Sequence, residues 1–183
     1  TCALDGTGDV WCWGENSQGQ LGYGNTNNLG DNPGEVNGGL STVTTNAQKI
    51  GAGVYHTCAL KFGGVVWCWG NNGFGQLGTG DTQNRRNGVN NAFAVPSLGT
   101  GRRAIDLAVA AYSTCVLLDN QTVKCWGYNG VGTLGLGDTA HRGDNAGEMG
   151  DALPVVNTGH ASVKQLAGGG YHVCAVGGGS AIT

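Results

Sequence analysis

Short apolar runs alternate with turn-forming stretches along the whole chain. The cysteine-containing runs are preceded by apolar segments such as QKIGAG (48–53), IDLAVA (105–110) and VKQLAG (163–168), and a turn rich in Gly, Asp or Asn then leads to VWCWG or VKCWG. Short runs of Val, Leu, Trp and Cys bounded by turn residues are typical of hairpin strands. No segment has the period of an amphipathic helix. The pattern therefore predicts an all-β chain.

These runs recur at a nearly fixed period. The leading cysteines of successive units are 56, 57 and 59 residues apart, and in the first three units a second cysteine follows ten positions later. The leading cysteines are Cys2, Cys58, Cys115 and Cys174, and the second ones are Cys12, Cys68 and Cys125. Repeated groups of short strands with periodic Gly and Trp predict β-propeller blades, each of four antiparallel strands. We expect a partial propeller over 1–183, with units at about 1–46, 47–103, 104–161 and an incomplete 162–183.

The cysteine spacing predicts a disulfide across each of the first three hairpins. A turn centred on Thr7 places Cys2 opposite Cys12, and facing residues of antiparallel strands have Cα atoms about 4.5–5.5 Å apart, which a disulfide can span. Cys58 and Cys68 pair by the same reasoning, as do Cys115 and Cys125, and each short loop would add about 2–3 kcal/mol of stability. A metal site or free buried thiols are the alternatives.

Cys174 is the odd cysteine. Its expected partner would stand at position 184, one residue past the end of the sequence. We therefore expect either that both termini are cuts through a longer array, or that copies of the chain complete each other's ring.

The residues around each second cysteine resemble a known repeat. WCWGENSQGQLGYG (11–24) and WCWGNNGFGQLGTG (67–80) share one pattern, and AGVYHTCAL (52–60) precedes the second of them. The pattern is similar to the regulator-of-chromosome-condensation repeat, which implies a propeller of typically seven blades. The paired cysteines resemble a bacterial secreted or cell-surface branch of that family. Tryptophans supply the apolar area needed between adjacent blades; these are Trp13, Trp69 and Trp126. The third unit departs from the pattern, with Thr133 in place of Gln.

Charge and length exclude some function classes. The net charge is -3, with nine Lys and Arg among 183 residues and no basic stripe, which argues against nucleic acid as a partner. No apolar run is long enough to predict a membrane span. The eukaryotic nuclear members of the family exchange nucleotides on a small GTPase and bind chromatin, but no basic tail or protruding hairpin carries those roles over to this sequence.

Acidic loops in the first and third units suggest a calcium site. Both contain a GDNxGE sequence, and carboxylate and amide oxygens are the ligands that calcium prefers. The candidate ligands are Asp31, Asn32, Glu35, Asp138, Asp144, Asn145, Glu148 and Asp151. The same residue types also form ordinary turns without a metal. Calcium is the one cofactor that the sequence suggests.

No catalytic constellation is recognisable. His56 and His172 occupy equivalent positions of the repeat, and no nucleophile motif accompanies the other histidines. We therefore expect a non-catalytic scaffold, extracellular or at the cell surface, that presents variable loops to a macromolecular partner. The alternative is a structural protein that self-assembles into a surface layer or filament through propeller edges.

Overall fold

A computed structural model describes residues 1–36, 39–87, 92–159 and 162–178. Within these ranges the regular structure consists of strands and one 3₁₀ turn, Gly150–Ala152. The strands are β1 (Cys2–Leu4), β2 (Val10–Cys12), β3 (Ala47–Ala52), β4 (His56–Lys61), β5 (Val66–Gly70), β6 (Ala104–Val109), β7 (Ser113–Leu118), β8 (Val123–Gly127), β9 (Val163–Gly168) and β10 (Val173–Gly177). The all-β prediction is confirmed. No helix of the described residues has the length and apolar character to cross a bilayer.

The strands form four antiparallel sheets in chain order. The sheet orders are β1-β2, β3-β4-β5, β6-β7-β8 and β10-β9. The predicted fourth strand of a blade is present only as an isolated antiparallel bridge outside the third strand, as between Cys68 and Ala94 or between Lys124 and Val155. β3 begins at Ala47, β6 at Ala104 and β9 at Val163, close to the starts of the predicted units. We keep the division into four units as a proposal.

Three disulfides join neighbouring strands of the hairpins. They connect Cys2 with Cys12, Cys58 with Cys68, and Cys115 with Cys125. In each pair the two residues face each other in the strand register, with Cα atoms 4.1 Å apart. Cys174 is a free, exposed thiol on β10, where it faces Ala167 of β9.

The hydrophobic core lies between the units. One cluster joins Val10 and Leu21 of the first unit to Trp69 of the second, and another joins Leu77 of the second unit to Trp126 of the third. A further cluster joins Leu134 to Leu166 of the fourth unit. Trp69 and Trp126 are fully buried, whereas Trp13 is half-buried and stands outside these clusters of described residues. Each unit therefore depends on its neighbour for burial of its apolar face.

Polar contacts join the first strands of successive sheets. Lys49 Nζ of β3 lies 2.5 Å from Asp106 Oδ1 of β6, and the other carboxylate oxygen accepts from the backbone N–H of Leu166 in β9 at 2.7 Å. One carboxylate thus links three consecutive sheets along the side where their first strands meet.

Candidate functional site

The turn after each CWG sequence is built on a buried asparagine. In the second unit, Asn72 Oδ1 accepts from the N–H of Leu77 at 2.9 Å, and Asn72 Nδ2 donates to Asp81 O at 2.7 Å. Asn16 and Asn129 make the equivalent bonds, and all three side chains are fully buried. Because a buried amide with satisfied donors and acceptors fixes the backbone around it, these loops have a defined shape.

Glycine is required immediately before this turn. Gly70 and Gly127 both have φ of 104°, a region that favours glycine. A Cβ at Gly70 would lie 2.4 Å from Tyr55 O, and one at Gly127 would lie 2.5 Å from Tyr112 O. The close approach brings the loop after CWG against the segment that precedes the cysteine strand.

Adjacent units are joined at one backbone carbonyl. Gln76 O accepts from Trp126 Nε1 at 3.0 Å and from Thr114 Oγ1 at 2.9 Å, both in the following unit. Gln20 O accepts in the same way from Trp69 Nε1 and Thr57 Oγ1, each at 2.9 Å. The repeated Trp and Thr thus give the sequence period a direct structural role.

The exception at Thr133 has a structural explanation. In the second unit the Gln76 side chain donates to Asn71 Oδ1 at 2.7 Å, and in the first unit Gln20 donates to Glu15. The third unit replaces both members of the pair, since Tyr128 stands at the position of Asn71 and Thr133 at that of Gln76. Thr133 instead donates to Tyr171 O at 3.2 Å. The change leaves the turn intact and places an aromatic ring on its outer side.

Aromatic rings from three units meet at this end of the sheets. We call the group the tyrosine face, and its members are Tyr55, Phe74, Tyr112, Tyr128, His141 and Tyr171. Phe74 lies 5.7 Å from Tyr112 and 5.0 Å from Tyr128, measured between ring centroids. Tyr55 lies 6.5 Å from Tyr112, and His141 lies 5.1 Å from Tyr128. Tilted and edge-to-face pairs at such distances attract each other, so the rings form one continuous group.

The tyrosine face is accessible to solvent. Tyr171 is 56% exposed, Tyr55 is also exposed, and the neighbouring Val131 is 66% exposed. Phe74, Tyr112 and Tyr128 are half-buried. Equivalent positions of the first unit carry Glu15 and Gln18, so the surface changes from polar to aromatic along the repeats.

His56 and His141, both near this end, have different environments. His56 is buried, its Nε2 lies 3.1 Å from Thr114 Oγ1, and burial lowers its pKa to about 3. His141 is half-buried, and its Nδ1 accepts from the N–H of Asn129 at 3.1 Å. His56 is therefore a neutral packing residue at ordinary pH, and His141 is held within the tyrosine face.

The acidic loops are organised by their own glutamates. Glu148 Oε2 accepts from the N–H groups of Gly143 at 2.8 Å and Asn145 at 3.1 Å. Glu35 Oε2 makes the same contacts in the first unit, where the bonds from Gly30 and Asn32 lower the pKa of Glu35. For Glu148, burial raises the pKa, but the bonds from Asn145 and Gly143 outweigh it and keep the pKa low.

The remaining calcium candidates have other partners. Asp138 pairs with Arg142 at 2.6 Å, and Asp151 Oδ2 accepts from Thr100 Oγ1 at 2.6 Å. Burial raises the pKa of Asp144, and the neighbouring Glu148 adds to the rise. In the described part of the chain, no three His, Cys, Asp or Glu side chains are grouped so that they could hold a metal. The calcium interpretation therefore gains no support from the arrangement, which gives these residues a role in loop structure.

Comparison with known families identifies the repeat. Residues 7–60 and 63–117 match the family described as regulator of chromosome condensation (RCC1) repeat, and residues 47–76 match a second description of the same repeat. The chain belongs to the RCC1 repeat family. The expected resemblance is confirmed.

Relatives of known sequence are much longer than this chain. The probable E3 ubiquitin-protein ligase HERC4 of Homo sapiens is 30% identical over 142 residues, which are 76% of this chain and 12% of that protein. The E3 ubiquitin-protein ligase HERC2 of Homo sapiens is 31% identical over 139 residues, which are 74% of this chain and 3% of that protein. The chain thus spans a small part of these RCC1-repeat relatives.

Solved structures match over nearly the whole chain. Human WBSCR16 has a TM-score of 0.68 at 18% identity, with 97% of this chain and 42% of that chain covered. Prp20p of Saccharomyces cerevisiae, whose structure is described together with its binding to Gsp1p and histones, has a TM-score of 0.66 at 20% identity, with 96% and 40% covered. These likenesses show the fold, and the prediction of partial RCC1-type propeller blades is confirmed.

The spacing of the cysteines does not reveal the tyrosine face. Tyr55, Tyr112 and Tyr171 stand at the same position of three units, while Phe74 and Tyr128 lie in the turns after CWG. Comparing the units column by column for aromatic residues would have shown the recurrence of tyrosine. The contact between the two sets depends on the close approach at Gly70 and Gly127, which the sequence does not reveal.

Proposed function

We propose that the chain is a non-catalytic, extracellular scaffold that binds a protein partner on the tyrosine face. The observation that carries the proposal is the continuous group of partly exposed aromatic rings supplied by three successive units. Clustered exposed rings are enriched where proteins bind each other, because a large rigid ring contributes contact area at a low cost in conformational entropy.

The rigidity of the supporting loops favours this use. Phe74 and Tyr128 lie in turns fixed by buried asparagines, and Tyr55 and Tyr112 come just before strands that a disulfide joins to the next strand. A surface that is already ordered loses little entropy when it binds, so more of its contact energy appears as affinity. The binding of Gsp1p and histones described for Prp20p supports a protein as the class of partner.

The disulfides support the extracellular part of the proposal. Structural disulfides persist in oxidising compartments and are rare in reducing ones. The non-catalytic part is supported by the environment of His56, which is buried, neutral and bonded to Thr114. Mass spectrometry of the protein isolated without reductant from its source should find Cys2, Cys12, Cys58, Cys68, Cys115 and Cys125 oxidised. Free thiols at all six positions would contradict secretion.

A structural protein assembled through strand edges is the second candidate. Within the described residues, β10 pairs with β9 alone and carries the exposed Cys174. Light scattering separates the two functions, because a monodisperse species across concentrations supports the binding scaffold. Growth of polymers that is unaffected by changes on the tyrosine face would favour assembly instead.

A selection experiment tests the binding surface. A library of random peptides would be selected against the immobilised chain, and the affinities of the enriched peptides would be measured for three proteins: wild type, Tyr55→Ser/Tyr171→Ser and Phe62→Ser. Phe62 is a matched control because it is 61% exposed and lies at the opposite end of β4 from Tyr55.

The expected result is a loss of affinity in the double variant alone. We expect the double variant to bind at least about tenfold more weakly, because aromatic side chains dominate the energetics of such surfaces. The Phe62→Ser variant should bind as the wild type does. Enriched peptides that bind the double variant equally well, or that lose affinity for Phe62→Ser, would contradict the proposal.

A further inference from the structure

Three tyrosines of the face form a nearly equilateral triangle. The ring centroids of Tyr112, Tyr128 and Tyr171 are separated by 6.4, 6.3 and 6.1 Å. We propose that this tyrosine triangle receives a cationic side chain, arginine or lysine, from the bound protein. The inference rests on the proposed function and adds the chemistry of the group that the partner inserts.

The size of the triangle suits a cation. Its rings are inclined to each other by 66°, 40° and 70°, so they do not form a flat stack. A cation above the middle of the triangle lies within about 6 Å of all three centroids, which is the range of cation–π attraction. All three rings are then within reach of the same charge.

Among the residues that the structure describes, no cation of the chain lies over these rings. The cation–π contact of the described residues is that of Lys61 with Trp67, at 4.5 Å from the ring centroid. Arg142 follows His141 in sequence, but its guanidinium donates to Asp138 Oδ2 at 2.6 Å and to the carbonyls of Ala140 and His141, both at 2.9 Å. The arginine nearest in sequence to the face is therefore already paired.

The charges beside the triangle favour a positive partner. The carboxylate of Asp144 interacts electrostatically with His141, and that of Glu148 lies next to Asp144. Together with the net charge of -3, these groups attract a basic segment and repel an acidic one.

The tyrosine hydroxyls are available to a guanidinium or an ammonium group. In the described part of the chain, no hydrogen bond involves the hydroxyl of Tyr112, Tyr128 or Tyr171, whereas the hydroxyl of Tyr23 donates to Cys12 O at 3.0 Å. A hydroxyl oxygen can accept from an N–H donor in addition to the ring attraction. An uncharged sugar or an apolar side chain would pack against the rings without using their attraction for a positive charge.

A titration followed by NMR tests the inference. The full chain labelled with ¹³C-tyrosine has five tyrosine signals, and Tyr23 serves as an internal control. The probes are N-acetyl-arginine amide, its neutral analogue N-acetyl-citrulline amide, and methyl glucoside. We expect arginine to shift the signals of Tyr112, Tyr128 and Tyr171 saturably and to leave Tyr23 unchanged. We expect citrulline to bind at least about threefold more weakly, as the loss of an exposed cation–π contact implies.

Two variants separate ring chemistry from apolar area. Tyr171→Phe keeps the aromatic face and should retain the arginine response, whereas Tyr171→Leu keeps an apolar side chain and should weaken it. Equal affinity for arginine and citrulline, stronger binding of methyl glucoside, or full retention by Tyr171→Leu would overturn the inference.

Selected peptides distinguish failure of the inference from failure of the proposed function. If their binding is lost in Tyr55→Ser/Tyr171→Ser but persists when each basic residue is replaced by citrulline or acetyl-lysine, the face binds proteins without a cation. That result overturns the cation site and leaves the proposed function standing. Loss of affinity both in the double variant and after replacement of the basic residues supports the cation site and the proposed function.

Discussion

Thr114→Val removes a hydroxyl that two buried groups share. Thr114 Oγ1 donates to Gln76 O at 2.9 Å, and the same oxygen lies 3.1 Å from His56 Nε2. Because the single hydroxyl proton is given to the carbonyl, His56 must carry its own proton on Nε2 and donate it to Thr114. Valine has nearly the same shape as threonine, so the packing between the units is retained.

The expected loss of stability has two parts. The hydrogen bond to Gln76 contributes about 1 kcal/mol, and Gln76 O keeps its bond from Trp126. The unsatisfied N–H of His56 lowers the unfolding free energy by about a further 1–3 kcal/mol, because the ring is buried. A total of about 3 kcal/mol corresponds to a drop of about 1.5 M in the urea midpoint for a slope near 2 kcal/mol per M.

Thr57→Val is the matched control. Thr57 makes the same bond to Gln20 O at 2.9 Å, and no histidine ring bonds its hydroxyl in the described part of the chain. The midpoint should therefore fall by only about 0.5 M, with the slope unchanged in both variants. Equal losses for the two variants, or a larger one for Thr57→Val, would refute the assignment of the His56 proton and the cost attached to it.

Three further predictions concern protonation, cross-linking and metal. Since burial lowers the pKa of His56 to about 3, the unfolded chain gains a proton below about pH 6.5 that the folded chain does not bind, so stability should fall by about 1.4 kcal/mol per pH unit between these values. Urea midpoints of His56→Ser should lack this slope, and an equal slope would contradict it. The double variant Cys58→Ala/Cys68→Ala should lose about 3 kcal/mol of unfolding free energy, measured by calorimetry, because its unfolded chain regains loop entropy. An unchanged stability would contradict a stabilising role of this disulfide. Added calcium should change the melting temperature by less than about 1 °C, because Glu148 already accepts the N–H groups of its own loop. A clear rise would restore the calcium interpretation.

The sequence predicted the hairpins because their signals are local. The pairing of Cys58 with Cys68 follows from the spacing of two residues on adjacent strands, and the structure places them opposite each other. The fourth strand of each blade was harder to predict, because Ala94 and Val155 pair through isolated bridges and belong to no regular ladder.

The site could not be predicted because its contacts cross between units. Tyr55 and Tyr171 are separated by 116 positions, and each meets Tyr112 only after the sheets have stacked. In the acidic loops, by contrast, the sequence suggested a site that the contacts do not support. Their composition suggested calcium, whereas Glu35 and Glu148 accept hydrogen bonds from the backbone of their own loops. Composition identifies available oxygens but does not show which donors they accept from.

Photo-cross-linking shows which surface of the protein a selected peptide contacts. A benzophenone amino acid would replace Tyr171 in one variant and Phe62 in another, and each full chain would be irradiated with the tightest peptide from the selection. Tyr171 and Phe62 have similar exposure, 56% and 61%, so accessibility alone does not favour either position. We expect a cross-link from position 171 and none from position 62. Cross-linking from position 62 alone, or equally from both, would contradict a binding surface on the tyrosine face.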